Sequence, residues 1–464
     1  MRHAPETGAV LALGRFAAGL RHEPPPAAVA GELLLRVVDT VAAQLHGVRG
    51  GHARLLLQVL DAPGAVPVWG TAERRGLRDA VTLNAALAHA TYFEDGSRFT
   101  GGHPGSAVIP AALLLASERG ASGALLIAAI AAGYEVFLRL GRALYPATVR
   151  RGFQSTAILA APASAAAASV LLGLDATQAA HAIAIACSQA AGLKEALRCV
   201  DSQPLQVGRS SEGGLLAARM AAVGATGSPE ILEKGYLRGF AGEAEAAAHG
   251  LLDGLGERWS LAETYVKLHG GCRGNHAPVD AAMALVARHR LAPADITRID
   301  VAVDTVTRAA AIEPPQDAAE AQSSIGFSVA VALLQADLSP SRFDAATLAD
   351  GAVQALMRRI HVAADAALDA GYPHTRAAVV RLNLHDGRTL EQRLDFARGE
   401  PELPLEADHI VRKFNAIAPA VLGVRQAAAL EARLLSLDRA PAGALAALCA
   451  ELAVSSHSTN RASP

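Results

Sequence analysis

The chain has 464 residues, too many for one ordinary hydrophobic core, so two domains are expected. Lys plus Arg number 42 against 44 for Asp plus Glu, which leaves no net field to draw in a nucleic-acid backbone or an anionic membrane. Four cysteines, Cys187, Cys199, Cys272 and Cys449, are scattered without a CxxC pair, so neither a zinc knuckle nor a disulfide framework is readable, and a reducing cytoplasm is expected. Residues 1–10 carry charges and a proline but no long apolar run, and do not read as a signal peptide.

From residue 11 to about 142 apolar residues recur at helical spacing, punctuated by Gly and Pro as in antiparallel helix pairs. Two apolar runs, 123–140 and 156–174, are interrupted by Glu135, Arg139 and Pro162 or are rich in Ala and Ser; they read as buried helices of a soluble bundle. The helical texture continues to about residue 239. Asp175 with Gln178 three residues on predicts a capping box.

After about residue 267 the texture changes. Ile299, Val301 and Val303 alternate with polar neighbours as a half-buried strand does, and 377–384 is a second β-rich run followed by the hairpin dipeptide Asp386-Gly387. Helical stretches at 279–289 and 324–334 lie beside them, which predicts a smaller α+β unit inserted in a mainly α protein. The boundaries expected are 1–265 plus 404–464 for the helical domain and 266–403 for the α+β lid, with the last helices folding back onto the first domain. The small polar tail, 455–464, is expected to be disordered. No fixed-period repeat, phosphate-binding Gly-rich loop or heptad run is present.

The most informative stretch is 84–110, NAALAHATYFEDGSRFTGGHPGSAVIP. It places His103 before Pro104 and Gly105 at the start of an apolar helix, where backbone N–H groups favour an anion and disfavour imidazolium. A histidine there can act as acid or base near pH 7, or simply tether the loop.

AHATYFED followed by GGHPGSAVIPAALLLASERGASG resembles the MmgE/PrpD pattern, and the likeness continues in order and spacing. It runs through GYEVFLRLG, RGFQSTAIL, LLGLDATQAAHAIAIACSQAAGL, GATGSPEILE, VKLHGGCRGNHAPVDA and PLEADHIVRKF. The resemblance implies a large helical domain with a smaller α+β lid, a homodimer, and an active site between the two domains. It also implies dehydration, decarboxylation or epimerisation of small carboxylic acids with no metal or organic cofactor. The chemistry is proton transfer at carbon beside a carboxylate, which calls for converging His, Lys and Arg.

Against that pattern several positions differ. Tyr92 stands where related decarboxylases have a pocket aspartate, with Glu94 and Asp95 in the last two places of the motif. Gln154 replaces a histidine, Gln203 and Gln206 replace a lysine and a histidine, and Phe327 replaces a tyrosine. His103 and Lys267 match catalytic or substrate-binding positions and are the expected catalytic pair. Asp95, Arg151, Cys272, Arg273 and His276 remain as further candidates for substrate binding, with Tyr92, Gln154, Gln203, Gln206 and Phe327 completing the lining. Cys272 reads better as packing than as a nucleophile. Lys267 could instead make a domain-junction salt bridge, and His276 could cap the helix that follows.

Glutamines bind neutral groups but offset no charge, so a small metabolite less charged than citrate-like acids is expected, in an elimination, decarboxylation, isomerisation or cyclisation. A conventional dehydratase or decarboxylase of cis-aconitate or 2-methylcitrate is the alternative, and a non-catalytic binding homologue the third reading.

Overall fold

The computed structural model describes residues 8–199, 201–243 and 250–454. The tail at 455–464 and residues 1–7 lie outside the described residues. Helices dominate, and the chain divides into two compact units. The larger takes the residues up to Ala90, Glu94–Thr264 and those from Glu406 onward; the smaller takes Thr91–Phe93 and Tyr265–Leu405.

In the larger unit the helix Ser155–Leu172 is apolar on every side and almost wholly buried, as such a helix must be. The helices Pro104–Glu118, Gly123–Leu144, Ala176–Gln189 and Ser202–Ala222 pack around it. Small residues let the axes close up: a Cβ on Gly214 would stand 2.2 Å from the Ala161 carbonyl oxygen. Among the described residues two helices are long and apolar enough to cross a membrane, Gly123–Leu144 and Ser155–Leu172, with 89% and 94% of their most apolar windows buried inside the fold. The capping box at Asp175 is present: its carboxylate accepts from Gln178 N–H at 2.8 Å, and the Gln178 side chain accepts from Asp175 N–H.

The C-terminal helices return to this unit. In Ala407–Leu422, Ile410, Lys413, Phe414, Ile417 and Ala418 are buried, a single stripe at helical spacing that packs on Ala27–Arg49. Between helices Ala53–Val59 and Leu77–His89 in the chain, β1 (Val66–Pro67) and β2 (Arg74–Arg75) form a short antiparallel ribbon.

The smaller unit holds one mixed sheet of β3 (Ile296–Val303), β4 (Ile360–Ala364), β5 (Ala378–Leu384) and β6 (Thr389–Leu394), in the order β4-β3-β5-β6. In β3, Ile296, Ile299, Val301 and Val303 face the core, so the alternation read from the sequence is the pleat itself. β5 and β6 form the hairpin, with Gly387 at φ +86° in its turn. Helices His276–His289 and Ile325–Gln335 cover the sheet, the latter capped by Ser324. β4 pairs parallel to β3 and has no counterpart in the sequence reading. It is five residues long and mostly solvent-facing, too short and too open to leave an apolar run.

Candidate active site

The loop between helix Leu77–His89 and helix Pro104–Glu118 in the larger unit folds back on itself: Ser97 N–H donates to the Gly102 carbonyl at 3.0 Å. His103 is thereby delivered to the N-cap of the second helix, with Pro104 as its first residue. Its backbone N–H donates to Thr156 Oγ1 at 3.2 Å, tying the loop to the central helix. Its Nδ1 lies 2.6 Å from the Asp95 carbonyl oxygen. A carbonyl only accepts, so Nδ1 carries the proton, and Nε2 of the neutral ring is left with its lone pair.

Asp95 is wholly buried, and its carboxylate is a latch: Oδ1 accepts from Gly105 N–H and Oδ2 from the Tyr134 hydroxyl, both at 2.9 Å. Burial pushes this acid up to about 7, against the pull of Arg36, whose Nε stands 3.8 Å away. The approach is close enough to require glycine at 105, where a Cβ would lie 2.5 Å from Thr40 Oγ1 and 2.6 Å from Asp95 Oδ1. Arg36 also donates to Thr264 Oγ1 at 3.0 Å. One turn along the same helix Asp39 accepts from Lys413 Nζ at 2.6 Å; burial still raises the Asp39 acid above its ordinary range.

Beside His103, which is partly exposed, stands the buried His89, the last residue of its helix, with ring centroids 5.4 Å apart. His89 Nδ1 is 2.7 Å from Glu94 Oε1, and the same oxygen is 3.7 Å from His103 Nδ1. Gln154 caps the central helix by accepting Ala157 N–H with its side-chain oxygen, which turns its amide nitrogen toward His89 Nε2 at 3.1 Å.

Of the other glutamines, Gln206 accepts Leu193 N–H with its side chain at 2.6 Å, while Gln154 N–H donates to the Gly192 carbonyl at 3.1 Å. Both therefore hold the strap around Gly192. Gln206 also lines a cavity of about 570 Å³ with Gln189, Arg78 and Arg209. Gln203 is buried on the same helix. Arg151 is solvent-exposed and donates to the Gly239 carbonyl at 3.3 Å, apart from the His103 group.

In the smaller unit Lys267 is fully buried, its ammonium 5.6 Å from the centre of the Tyr92 ring. Tyr92 adopts φ +51°, a left-handed conformation that a bulky residue rarely takes. Arg273 is buried in an ion pair with Glu400 and lies over the Tyr265 ring, centroid distance 5.2 Å. His276 opens the helix His276–His289, with its ring 5.4 Å from that of His269. Burial, helped by nearby Arg273, pushes the His276 imidazole well below its ordinary range, so it is neutral. His269 Nε2 is 2.9 Å from Asp280 Oδ1. Burial alone would raise Asp280, but that contact and the Arg398 N–H leave the carboxyl below its ordinary value. Cys272 donates its backbone N–H to the Gln322 carbonyl at 2.7 Å. Phe327 belongs to the apolar core of this unit, 5.5 Å from the Phe343 ring, and is not part of a polar cluster.

The structure thus gathers His103, Asp95 and Gln154 in one unit and Lys267, Tyr92, Arg273, His276 and Cys272 in the other. It adds His89, Glu94, Arg36, Asp39, Tyr134 and Lys413 to the first group and His269, Asp280 and Glu400 to the second. A signal for some of these was present: Arg36 and Asp39 are charges inside the apolar run GELLLRVVDTVAA. Among the described residues, no three His, Cys, Asp or Glu side chains are grouped so as to hold a metal ion.

The MmgE/PrpD N-terminal domain matches residues 11–248 and the MmgE/PrpD C-terminal domain matches 269–438. Cis-aconitate decarboxylase of Aspergillus terreus is 26% identical over 461 residues, covering 94% of each chain. The cis-aconitate decarboxylase-like protein oryM of Aspergillus oryzae is 25% identical over 462 residues, 94% of this chain and 95% of that one. The human cis-aconitate decarboxylase is 25% identical over 443 residues, 84% of this chain and 89% of its own. With both domain types matched in order over most of its length, the chain belongs to the MmgE/PrpD family.

Proposed function

We propose that the protein is an enzyme, a cofactor-independent lyase or isomerase that moves a proton at carbon beside a carbonyl or carboxylate of a small metabolite. The observation that carries this reading is the His103 ring, whose Nδ1 proton is fixed on the Asp95 carbonyl so that Nε2 is the basic atom. Lys267 is the proposed ammonium for a substrate carboxylate or a developing negative charge. The family and the named relatives support a lyase-type activity; the reaction itself is our inference.

The substrate carries less negative charge than citrate-like acids. Gln154 and Gln206 stand at positions that the family resemblance makes cationic, and both are engaged with neutral partners, the one with a helix N-terminus and His89, the other with the strap. A tricarboxylate placed against them would bury carboxylates without offsetting charge. We propose a cytoplasmic homodimer acting on a small molecule.

The relatives' names favour a second reading, decarboxylation of cis-aconitate. Purified full-length protein incubated with cis-aconitate, 2-methylcitrate and a panel of mono- and dicarboxylic keto and hydroxy acids, followed by proton NMR, separates the two. Our reading expects conversion within the less charged panel and little from the tricarboxylates. Conversion of cis-aconitate ahead of the panel would replace it with the second, and conversion of nothing at high enzyme concentration would defeat both. Gln154→His combined with Gln203→Lys is expected to bring cis-aconitate turnover up.

A further inference from the structure

We propose that Glu94 is the positioning carboxylate of His103, and that Gln154 keeps Glu94 charged toward that ring by holding His89 neutral. This rests on His103 being the proton carrier. Four side chains form a directed chain. Gln154 takes Ala157 N–H on its side-chain oxygen, so its amide group can only donate to His89 Nε2, 3.1 Å away. An imidazole that accepts at Nε2 carries its single proton on Nδ1, which faces Glu94 Oε1 at 2.7 Å and Ser106 Oγ at 3.3 Å. A second proton on His89 would set two donors against each other at Gln154. His89 therefore fixes the Glu94 carboxylate in place without cancelling its charge.

That carboxylate oxygen lies 3.7 Å from His103 Nδ1. When His103 Nε2 accepts a proton the ring becomes a cation in a poorly solvated place, and an anion at this distance favours it. Charged or titratable groups near the pair include Asp95 on the loop, Arg36 and Asp39 on helix Ala27–Arg49, Tyr134 on helix Gly123–Leu144 and Lys413 on helix Ala407–Leu422. Arg36 stands against Asp95 and Lys413 against Asp39, so each of these cations has a carboxylate of its own beside it. The replacement of a histidine by Gln154 thus has a role of its own: a neutral donor at this point sets the protonation state of His89.

The test needs no substrate, so it fails separately from the assignment of a reaction. Full-length protein labelled with ¹⁵N,¹³C-histidine is titrated by NMR, with the two rings assigned through His89→Asn and His103→Gln. In the wild type the hydrogen bonds of His89 predict a proton on Nδ1 and none on Nε2; a ring protonated at Nε2 would overturn the proposal. Glu94→Gln is expected to move the His103 titration midpoint down by about one unit, and Glu94→Asp to restore most of it. A midpoint unmoved by Glu94→Gln would overturn it as well. Should Glu94→Gln fail to fold, Glu94→Asp against wild type decides: a midpoint lower by a few tenths supports the assignment, and an identical one ends it.

Discussion

Each unit buries histidines beside carboxylates, yet their electrostatics run in opposite directions. In the larger unit burial wins over the nearby cations, so Asp95 is pushed up to about 7 and Asp39 is raised even with Lys413 at 2.6 Å. In the smaller unit Asp280 is lowered despite burial, because His269 and the Arg398 N–H both favour its charged form. The difference is one of hydrogen-bond supply. Asp280 has the His269 ring and the Arg398 guanidinium on Oδ1 and the Arg398 N–H on Oδ2, whereas the Asp95 donors are a neutral hydroxyl and one backbone N–H. Of the two acids, Asp95 in the larger unit is the one shifted toward neutral pH, and Asp280 in the smaller is held in its charged form.

This contrast can be broken at its strongest contact. Lys413→Met strands Asp39 in an apolar setting and is expected to cost about 3–5 kcal/mol at pH 7, measured by urea denaturation. The loss should shrink toward pH 5 as Asp39 takes up a proton; a loss that stays constant with pH would mean that Asp39 is not the group left unpaired. Gly105→Ala tests the crowding at the latch. With Thr40 and Asp95 both inside contact distance of the new methyl group, a loss of about 1–3 kcal/mol is expected, and a neutral result would show that the loop shifts freely.

The two carboxylates also predict opposite flanks of a stability–pH curve. Asp95 has a folded value of about 7 against an ordinary 3.8, so the folded state binds more protons between them. Its contribution is present at low pH and is lost as pH rises from about 4 to 7. Asp280 is depressed, so its contribution is present above 3.8 and lost only as pH falls below that value. Asp95→Asn should flatten the curve between pH 4 and 7, while Asp280→Asn should change the flank below 4. At the small end of the scale, the exposed pair Arg381–Glu391 on the β5–β6 hairpin is expected to contribute under about 1 kcal/mol, so Arg381→Ala serves as the control.

The strands β3 and β5, the turn that joins β5 to β6, and the Asp175 capping box were legible because each leaves a local pattern: alternation, a turn dipeptide, a spaced pair of side chains. β4 was not, since a short edge strand paired through its backbone needs no apolar stripe. At the site, His103 was legible from its place before Pro-Gly at a helix start. The Asp39–Lys413 pair in the same unit was not, because its members come from helices 374 residues apart. Glu94 could be seen as part of a motif, but its role follows from the orientation of the Gln154 amide, which no spacing encodes. Phe327 was expected at the site from its position in a family segment; in the structure it packs in the apolar core of the smaller unit beside Phe343.

The claim that one imidazole carries the proton is tested most directly by deuterium wash-in. Wild-type protein and His103→Ala are incubated in D₂O with the panel of small carboxylic acids, and exchange at the carbon beside the carbonyl or carboxylate is followed by NMR. The account predicts wash-in with at least one acid, falling by roughly 10²- to 10⁴-fold in the variant. Equal wash-in by both proteins, or a fall of less than about tenfold, would contradict it.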